Sequence, residues 1–405
     1  MTLGVGGSTA AAELEKMTKM TGGITPIGID EHLERVKRAQ ALMKKEGISA
    51  LYLDTSANLF YFTGISLKLT ERLHGAIIPA EGPVTYLSPA FEEPKTRSML
   101  KFGDDIRVWQ EHEDPTALVA DTIASLGYES GVVAVDPATP FFNFDGMRKA
   151  GNRYDFQNGA VVTAALRSQK TAAEVALLDI AAKVTEEVHK ASARILHEGI
   201  TTTEVQAFVQ EAHRRLGAVP TPYPPLILFG EATAYPHGVD YPQTLEDGDM
   251  VLMDIGGWVG GYRSDLTRTY VFGEPNPRQR EVWDIEKRAQ EAGFNAAQKG
   301  APHHAVDDAA RGVIESAGFG KDYALPGLPH RTGHGIGIEV HEDSYIVRGN
   351  TAPLKVGNCF SIEPTICIYG EFGIRLEDCA TVTEDGPRWF SGPSHTVDDP
   401  FGYEA

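Results

Sequence analysis

The sequence predicts a mixed α/β (α+β) fold: an α/β amino-terminal domain followed by one larger domain made of two like halves. Three observations predict it. Short apolar segments alternate with helix-like stretches over roughly the first 165 residues. After them the order helix, helix, hairpin occurs twice. Each of the two hairpins also carries a pair of acidic residues placed to face one another. The expected divisions are a flexible tail at 1–27, the α/β domain at 28–165 and the two-half domain at 166–405.

The tail is rich in Gly, Thr and Ala and has no basic stretch followed by an apolar one, as a signal peptide would need. From Asp30, a suitable N-cap, to Gly47, a suitable C′ residue, Leu33, Val36, Ala39 and Met43 recur at helical spacing and predict a helix. Strand-like runs follow at 50–53, 75–78, 84–87, 106–109 and 132–135, with a helical stretch at 116–126. Thr171 with Glu174, and Thr201 with Glu204, read as capping boxes opening two helices. Two more helical stretches, 278–298 and 306–317, separate the first hairpin from the second.

In the first hairpin, a fold at Val259-Gly260 makes paired residue numbers sum to 519 and sets Asp254 across from Asp265. In the second, a fold about Gly370 sets Glu363 across from Glu377. Facing residues on antiparallel strands have Cβ atoms about 4.5–5.5 Å apart, and like charges there repel unless something neutralises them. A bound cation is the expected neutraliser. Between the hairpins lies His330-Arg-Thr-Gly-His334-Gly-Ile-Gly-Ile-Glu-Val-His341, and before the first lies His237. Glycines around His334 predict a bent segment that brings its imidazole close to a ligand. Four carboxylates and one imidazole make a hard donor set suited to Mn, Co or Fe(II), with Zn also compatible. Four negative charges balance two dications, so two divalent ions per chain are expected. The Gly333-x-Gly335-x-Gly337 string lacks the spacing of a dinucleotide loop.

Composition narrows the function classes. A net charge of −19 and no cluster of Lys and Arg argue against nucleic acid as a partner. No apolar run approaches the roughly 18 residues of a membrane span. The cysteines, Cys359, Cys367 and Cys379, have no CxxC spacing and predict buried thiols in a reducing compartment. A soluble, cytoplasmic protein is expected.

With these residues in place, the sequence resembles the pita-bread metallopeptidase superfamily, which includes prolidase (Xaa-Pro dipeptidase), aminopeptidase P, methionine aminopeptidase and the metal-free creatinase. The likeness extends over nearly the whole chain after residue 28. It rests on Asn58-Leu-Phe-Tyr-Phe-Thr-Gly64 in a creatinase-type amino-terminal domain, the connecting Leu166-Arg-Ser-Gln-Lys-Thr-Ala-Ala-Glu174, and the ligand motifs of the carboxy-terminal domain. The resemblance implies that Asp254, Asp265, His334, Glu363 and Glu377 are the metal ligands. Asp254 would serve one ion, His334 and Glu363 the other, and Asp265 and Glu377 would bridge. It further implies that a hydroxide bridging the ions attacks the peptide carbonyl, with Glu363 shuttling its proton. His237 and His341 would flank the metals, His330 would sit by the substrate's proline side, and Arg375 would make a salt link to a ligating carboxylate.

The family pattern Glu-Pro-Gly-x-Tyr reads Glu363-Pro-Thr-Ile-Cys367 here. The tyrosine credited with stabilising the intermediate is therefore replaced by a thiol, open in principle to thiol reagents. The resemblance implies a prolidase acting on short proline-containing peptides as a homodimer. Aminopeptidase P is the alternative, and a non-peptidase member (an amidinohydrolase or a lyase on a small charged substrate) is the rival from another class.

Overall fold

The computed structural model describes residues 2–404 of the chain. They form two compact units, one of Ile27–Arg167 and one of Ser168–Ala405 joined by Met1–Pro26.

The first unit opens with the helix Ile29–Glu46, which stops at Gly47 in a left-handed conformation. Its N-cap is Gly28, and the expected cap Asp30 lies in the first turn, where its charge favours the helix dipole. The strands are β1 (Ile48–Asp54), β2 (Gly75–Pro79), β3 (Thr85–Pro89), β4 (Ile106–Trp109), β5 (Gly131–Val135) and β6 (Tyr154–Asn158). They form one mixed sheet in the order β4-β3-β2-β1-β5-β6, with β5 parallel to β1 and β6. β1 is buried at nearly every position, as a central strand covered on both faces must be. Helices Ala57–Thr63 and Phe141–Ala150 and strand β6 lack a strong periodic signature in the sequence.

The second unit has the repeated order expected. Helices Ala172–Arg194 and Thr202–Leu216 each begin with the capping box that the sequence predicts, at Thr171/Glu174 and Thr201/Glu204. They precede β7 (Val219–Pro220), β8 (Leu226–Phe229), β9 (Met250–Ile255), β10 (Gly257–Val259), β11 (Tyr262–Arg263) and β12 (Leu266–Val271). Helices Pro277–Ala296 and His303–Ser316 then precede β13 (Gly333–Gly335), β14 (Glu342–Ile346), β15 (Cys359–Ile362), β16 (Thr365–Ile368), β17 (Phe372–Arg375), β18 (Asp378–Thr383) and β19 (Gly386–Trp389). No described helix is long and apolar enough to cross a membrane.

The segment expected as a loose tail is instead part of this unit. Thr9 caps a helix at Ala10–Lys16, and Val5, Leu14 and Met17 pack on the core of the first half. Glu13 is buried and takes hydrogen bonds from Ser8, Lys16 and Arg194 at 2.6–2.8 Å. A buried carboxylate thus adds a polar anchor to the apolar one.

The first hairpin differs in register from the expected one. Its paired residues are Trp258↔Arg263 and Val259↔Tyr262, continuing to Thr267↔Asp254, so numbers sum to 521 rather than 519. A fold at Val259-Gly260 would demand positive φ at a β-branched residue. Gly260 and Gly261 take the two positive-φ positions instead, at 60° and 89°. Asp254 therefore faces Thr267, while Asp265 lies two residues away on the same face, because the two sums differ by an even number. The second hairpin turns about Gly370 as expected. Its pairs, from Thr365↔Arg375 through Ile362↔Asp378, sum to 740 on both sides of Glu363 and Glu377.

A seam beside the expected donors joins the two halves. Thr267 and Glu377 exchange backbone hydrogen bonds at 3.2 and 3.1 Å, and the Thr269 hydroxyl donates to the Arg375 carbonyl at 2.7 Å. Beneath it, fully buried Arg268 donates to the Glu377 carbonyl and to Asp378, whose carboxylate also accepts from Gln290 and Ser391. Both charges are thus saturated with partners, the condition under which a buried pair is tolerated.

Two outcomes follow for stability. Arg268→Ala leaves Asp378 buried without its cation and should lower unfolding free energy by about 3–5 kcal/mol in denaturant titration. Lys16, Ser8 and Arg194 outweigh burial and hold the Glu13 pKa at about 2, below its ordinary value in the unfolded chain. The stability this adds is present at neutral pH and is lost as pH falls toward 2. The stability gap between the native chain and Glu13→Gln, measured in chemical denaturation from pH 7 downward, should therefore close on acidification.

Candidate metal centre

The five expected donors come from both halves. Asp254 projects from the end of β9, and Asp265 from the link between β11 and β12. His334 is the middle residue of β13, Glu363 lies between β15 and β16, and Glu377 between β17 and β18. Donor atoms of Asp265, His334 and Glu377 all lie within 4.8 Å of one another. His334 Nε2 is 3.0 Å from Glu363 Oε1 and 3.6 Å from Asp265 Oδ2. The His334 Nδ1–H donates to the Gly335 carbonyl at 3.2 Å, which turns Nε2 toward the carboxylates.

The glycines beside His334 have a different reason from the one expected. A Cβ on Gly333 would stand 1.9 Å from the Ser361 carbonyl oxygen, and one on Gly335 at the same distance from that of Asp343. They are needed because neighbouring strands press against β13, whose register against β14 shifts between Gly333 and Gly335, at His334 itself.

A set of supporting residues holds the carboxylates. The Thr267 hydroxyl donates to Glu377 Oε2 at 2.6 Å, and Ser361 donates to Glu363 Oε1 at 3.1 Å. Arg375 makes a salt link to Asp254 Oδ2 at 2.7 Å and also donates to Thr267 and to the Pro236 carbonyl. Sequence reading expects the Arg375 salt link but misses Thr267. The correct hairpin register is the signal that reveals it, since Thr267 is the residue facing Asp254.

These groups fit divalent cations. Burial pushes the Asp265 carboxyl well above its ordinary value, and neighbouring Asp254 pushes it further. Burial and then Asp265 do the same to Glu377. Glu377 Oε1 is buried without a hydrogen-bond partner among the described residues. Against burial, Glu363 holds His334 up and His334 holds Glu363 well down. An acidic cluster of this kind, with one oxygen left over and an imidazole nitrogen facing it, matches a hard cation's need for oxygen and nitrogen donors.

The donors form the floor of a cavity of about 690 Å³. His237, His330 and His341 line it, as do Arg263, Arg331 and the apolar run Tyr223-Pro224-Pro225-Leu226. The His341 ring lies 4.2 Å from that of His334. His330 is engaged within the protein: Nδ1 bonds to the Arg331 carbonyl at 2.7 Å and Nε2 to the Thr365 hydroxyl at 3.1 Å. Its ring is therefore a wall of the cavity with both nitrogens already partnered. Cys367 is not part of the lining. Its side chain is fully buried, and burial raises its pKa to about 12, so the expected sensitivity to thiol reagents has no structural basis. Tyr223 supplies a phenol to the cavity from another direction.

Residues 176–384 match the profile of metallopeptidase family M24, more than half of the chain. The chain belongs to the M24 metallopeptidases. Residues 35–169 match the Creatinase/Prolidase N-terminal domain, as the α/β unit suggests. Among M24 relatives, the Xaa-Pro dipeptidase of Lactobacillus helveticus is 29% identical over 86% of this chain and 93% of its own. The crystal structure of dipeptidase PepE from Mycobacterium ulcerans aligns with a TM-score of 0.85 and 32% identity, over 92% of this chain and 98% of that one. That of the prolidase from Thermococcus sibiricus aligns with a TM-score of 0.82 and 30% identity, over 89% and 97%.

The contact at Gly335 can be tested directly. Gly335→Ala drives a methyl group into the Asp343 carbonyl and should lower the melting temperature by several degrees, as expected for about 1–3 kcal/mol of overpacking. An unchanged melting temperature would mean that β13 does not need its close approach.

Proposed function

We propose that this M24 peptidase is a dinuclear metal-dependent dipeptidase that cleaves the bond before proline in Xaa-Pro dipeptides. The observation carrying this reading is the convergence of Asp254, Asp265, His334, Glu363 and Glu377 on the floor of a cavity with an apolar wall. Relatives named Xaa-Pro dipeptidase and prolidase support the choice of substrate.

Two divalent ions held by those five side chains would supply Lewis acidity toward the peptide carbonyl and an activated water. The hard donor set favours Mn, Co or Fe(II). The remaining steps belong to the chain's own residues. Glu363 Oε1 is held by Ser361, which leaves Oε2 to take the proton from the attacking water and return it to the leaving nitrogen. His237 and His341 line the cavity above the donors and can donate to the carbonyl oxygen as it gains charge. Arg375 fixes the orientation of Asp254 through its salt link. The Tyr223-Pro224-Pro225-Leu226 wall and the His330 ring give a proline side chain an apolar surface.

Freshly purified protein should contain close to two transition ions per chain by elemental analysis. Asp265→Asn should keep the fold by circular dichroism and lose at least about 100-fold in kcat/KM, since a neutral amide replaces the carboxylate assigned to both ions. With added Mn, Ala-Pro and Leu-Pro should be hydrolysed and Ala-Pro-Ala left intact. Release of alanine from the tripeptide would instead identify an aminopeptidase P. Inertness toward all three peptides would favour a non-peptidase reaction.

A further inference from the structure

Lys170 and Glu174, in the connecting segment on which part of the family likeness rests, supply no donor to the metal centre, yet both are buried. They grip different halves of the domain. The Tyr262 hydroxyl of β11 donates to Glu174 Oε1 at 2.8 Å. Lys170 crosses to the second half, where its ammonium pairs with Glu342 Oε2 of β14 at 3.1 Å, the two side chains being only 1% and 4% exposed. Taking two charges out of water is costly, and well-packed apolar residues often serve stability as well as a buried ion pair does. Stability alone is therefore a weak reason for this pair.

What the pair holds supplies a stronger one. Glu342 Oε1 accepts from the Glu339 amide at 3.1 Å, and a Cβ on Gly337 would stand 2.7 Å from either carboxylate oxygen, so residues 337–342 fold around this one carboxylate. The same stretch is tied to β11 by Arg263, whose amide donates to the Gly337 carbonyl at 2.8 Å and whose Nε donates to that of Ile338 at 3.1 Å. It carries Val340 and His341 into the cavity lining. Neighbouring residues at a strand end point to opposite sides, so burying Glu342 against Lys170 sets His341 toward the cavity, its ring 4.2 Å from that of His334. Lys170 is itself fixed at the backbone. Its amide donates to the Gly357 carbonyl at 2.8 Å, and a Cβ on Gly357 would stand 2.7 Å from the Lys170 carbonyl oxygen.

We propose that the Lys170–Glu342 ion pair is a positioning clasp for His341, holding residues 337–342 so that the imidazole stands over the metal centre. The assignment rests on the reading of His341 as a donor to the reacting carbonyl oxygen. Without the ammonium, Glu342 is a buried charge with its cation removed, and it turns outward or draws in water. The stretch folded around it then takes His341 along. A displacement of about 1 Å at such a group costs about 100-fold in rate.

The test replaces both charges by apolar side chains, Lys170→Met together with Glu342→Met, which removes the clasp without stranding a buried charge. The double variant should melt within a few degrees of the native chain. On Ala-Pro with added Mn its kcat should fall about tenfold or more, with KM changed less than about threefold. In a His341→Ala background the same double replacement should cost little further, since it acts through a ring already removed. A kcat at the native level, or a loss that adds in full to that of His341→Ala, overturns the proposal. A second readout needs neither metal nor turnover: proton–carbon correlation spectra of the histidine rings in metal-free protein, with the His341 signal identified by its absence from His341→Ala. That signal should move in the double variant while the signal of His237 stays. An unmoved His341 signal overturns the clasp even where activity falls. Should the double variant not fold, Glu342→Gln takes its place in both measurements, since it keeps an acceptor for the Glu339 amide and removes the charge. If metal-loaded native enzyme leaves Xaa-Pro peptides intact, the peptidase reading falls and the spectra alone decide the clasp.

Discussion

The site depends on the main-chain seam where the two halves meet, which holds the pair of hydrogen bonds exchanged by Thr267 and Glu377 and one from the Arg263 amide to the Gly337 carbonyl. Each half can position its own carboxylates by strand register alone. Neither can bring Asp265 within reach of Glu377 and His334 without that seam. The contact also sets the Thr267 hydroxyl between Glu377 and Arg375, so the backbone join and the orientation of the acids share one residue. Arg268 and Asp378 lie directly beneath and fix the seam from below.

Backbone geometry gathers the acids against their mutual repulsion. Asp265 is pushed toward the protonated form by burial and by Asp254, and Glu377 by burial and by Asp265, while Arg375 opposes both shifts and His334 opposes the first. A folded chain of this kind stores electrostatic cost at its centre, which a dication offsets more fully than a proton because one ion serves several carboxylates. Metal binding and folding stability are therefore thermodynamically linked in this architecture. The same reasoning explains why Glu377 and Glu363 are held by hydroxyls. Thr267 and Ser361 orient an oxygen without neutralising it, so the charge remains for the cation.

Much of this was legible in the sequence, and the failures have physical causes. Both capping boxes, the duplicated helix-helix-hairpin order and the pairing about Gly370 are local signals that the structure reproduces. The first hairpin was misread by one turn position because the sequence offers several places to fold. Only the left-handed demand on both turn residues selects Gly260-Gly261 over Val259-Gly260. Acidic residues at the right parity still emerged, since the error was an even shift. Thr267, Ser361 and Thr365 were invisible because a hydroxyl's role is defined by tertiary partners far along the chain. The amino-terminal segment was misjudged for the same reason: Arg194, which holds Glu13, lies 181 residues away.

The sulfur chemistry of the chain has a practical side. All three thiols are buried, and burial lifts Cys359 to about 11 and Cys367 to about 12 and raises Cys379 well above its ordinary value. Almost no thiolate is present at neutral pH, so air oxidation has no nucleophile to start from. Burial thus protects the thiols without dithiothreitol or mercaptoethanol. Such additives are soft chelators, and leaving them out removes a competitor from every titration in which transition ions are counted.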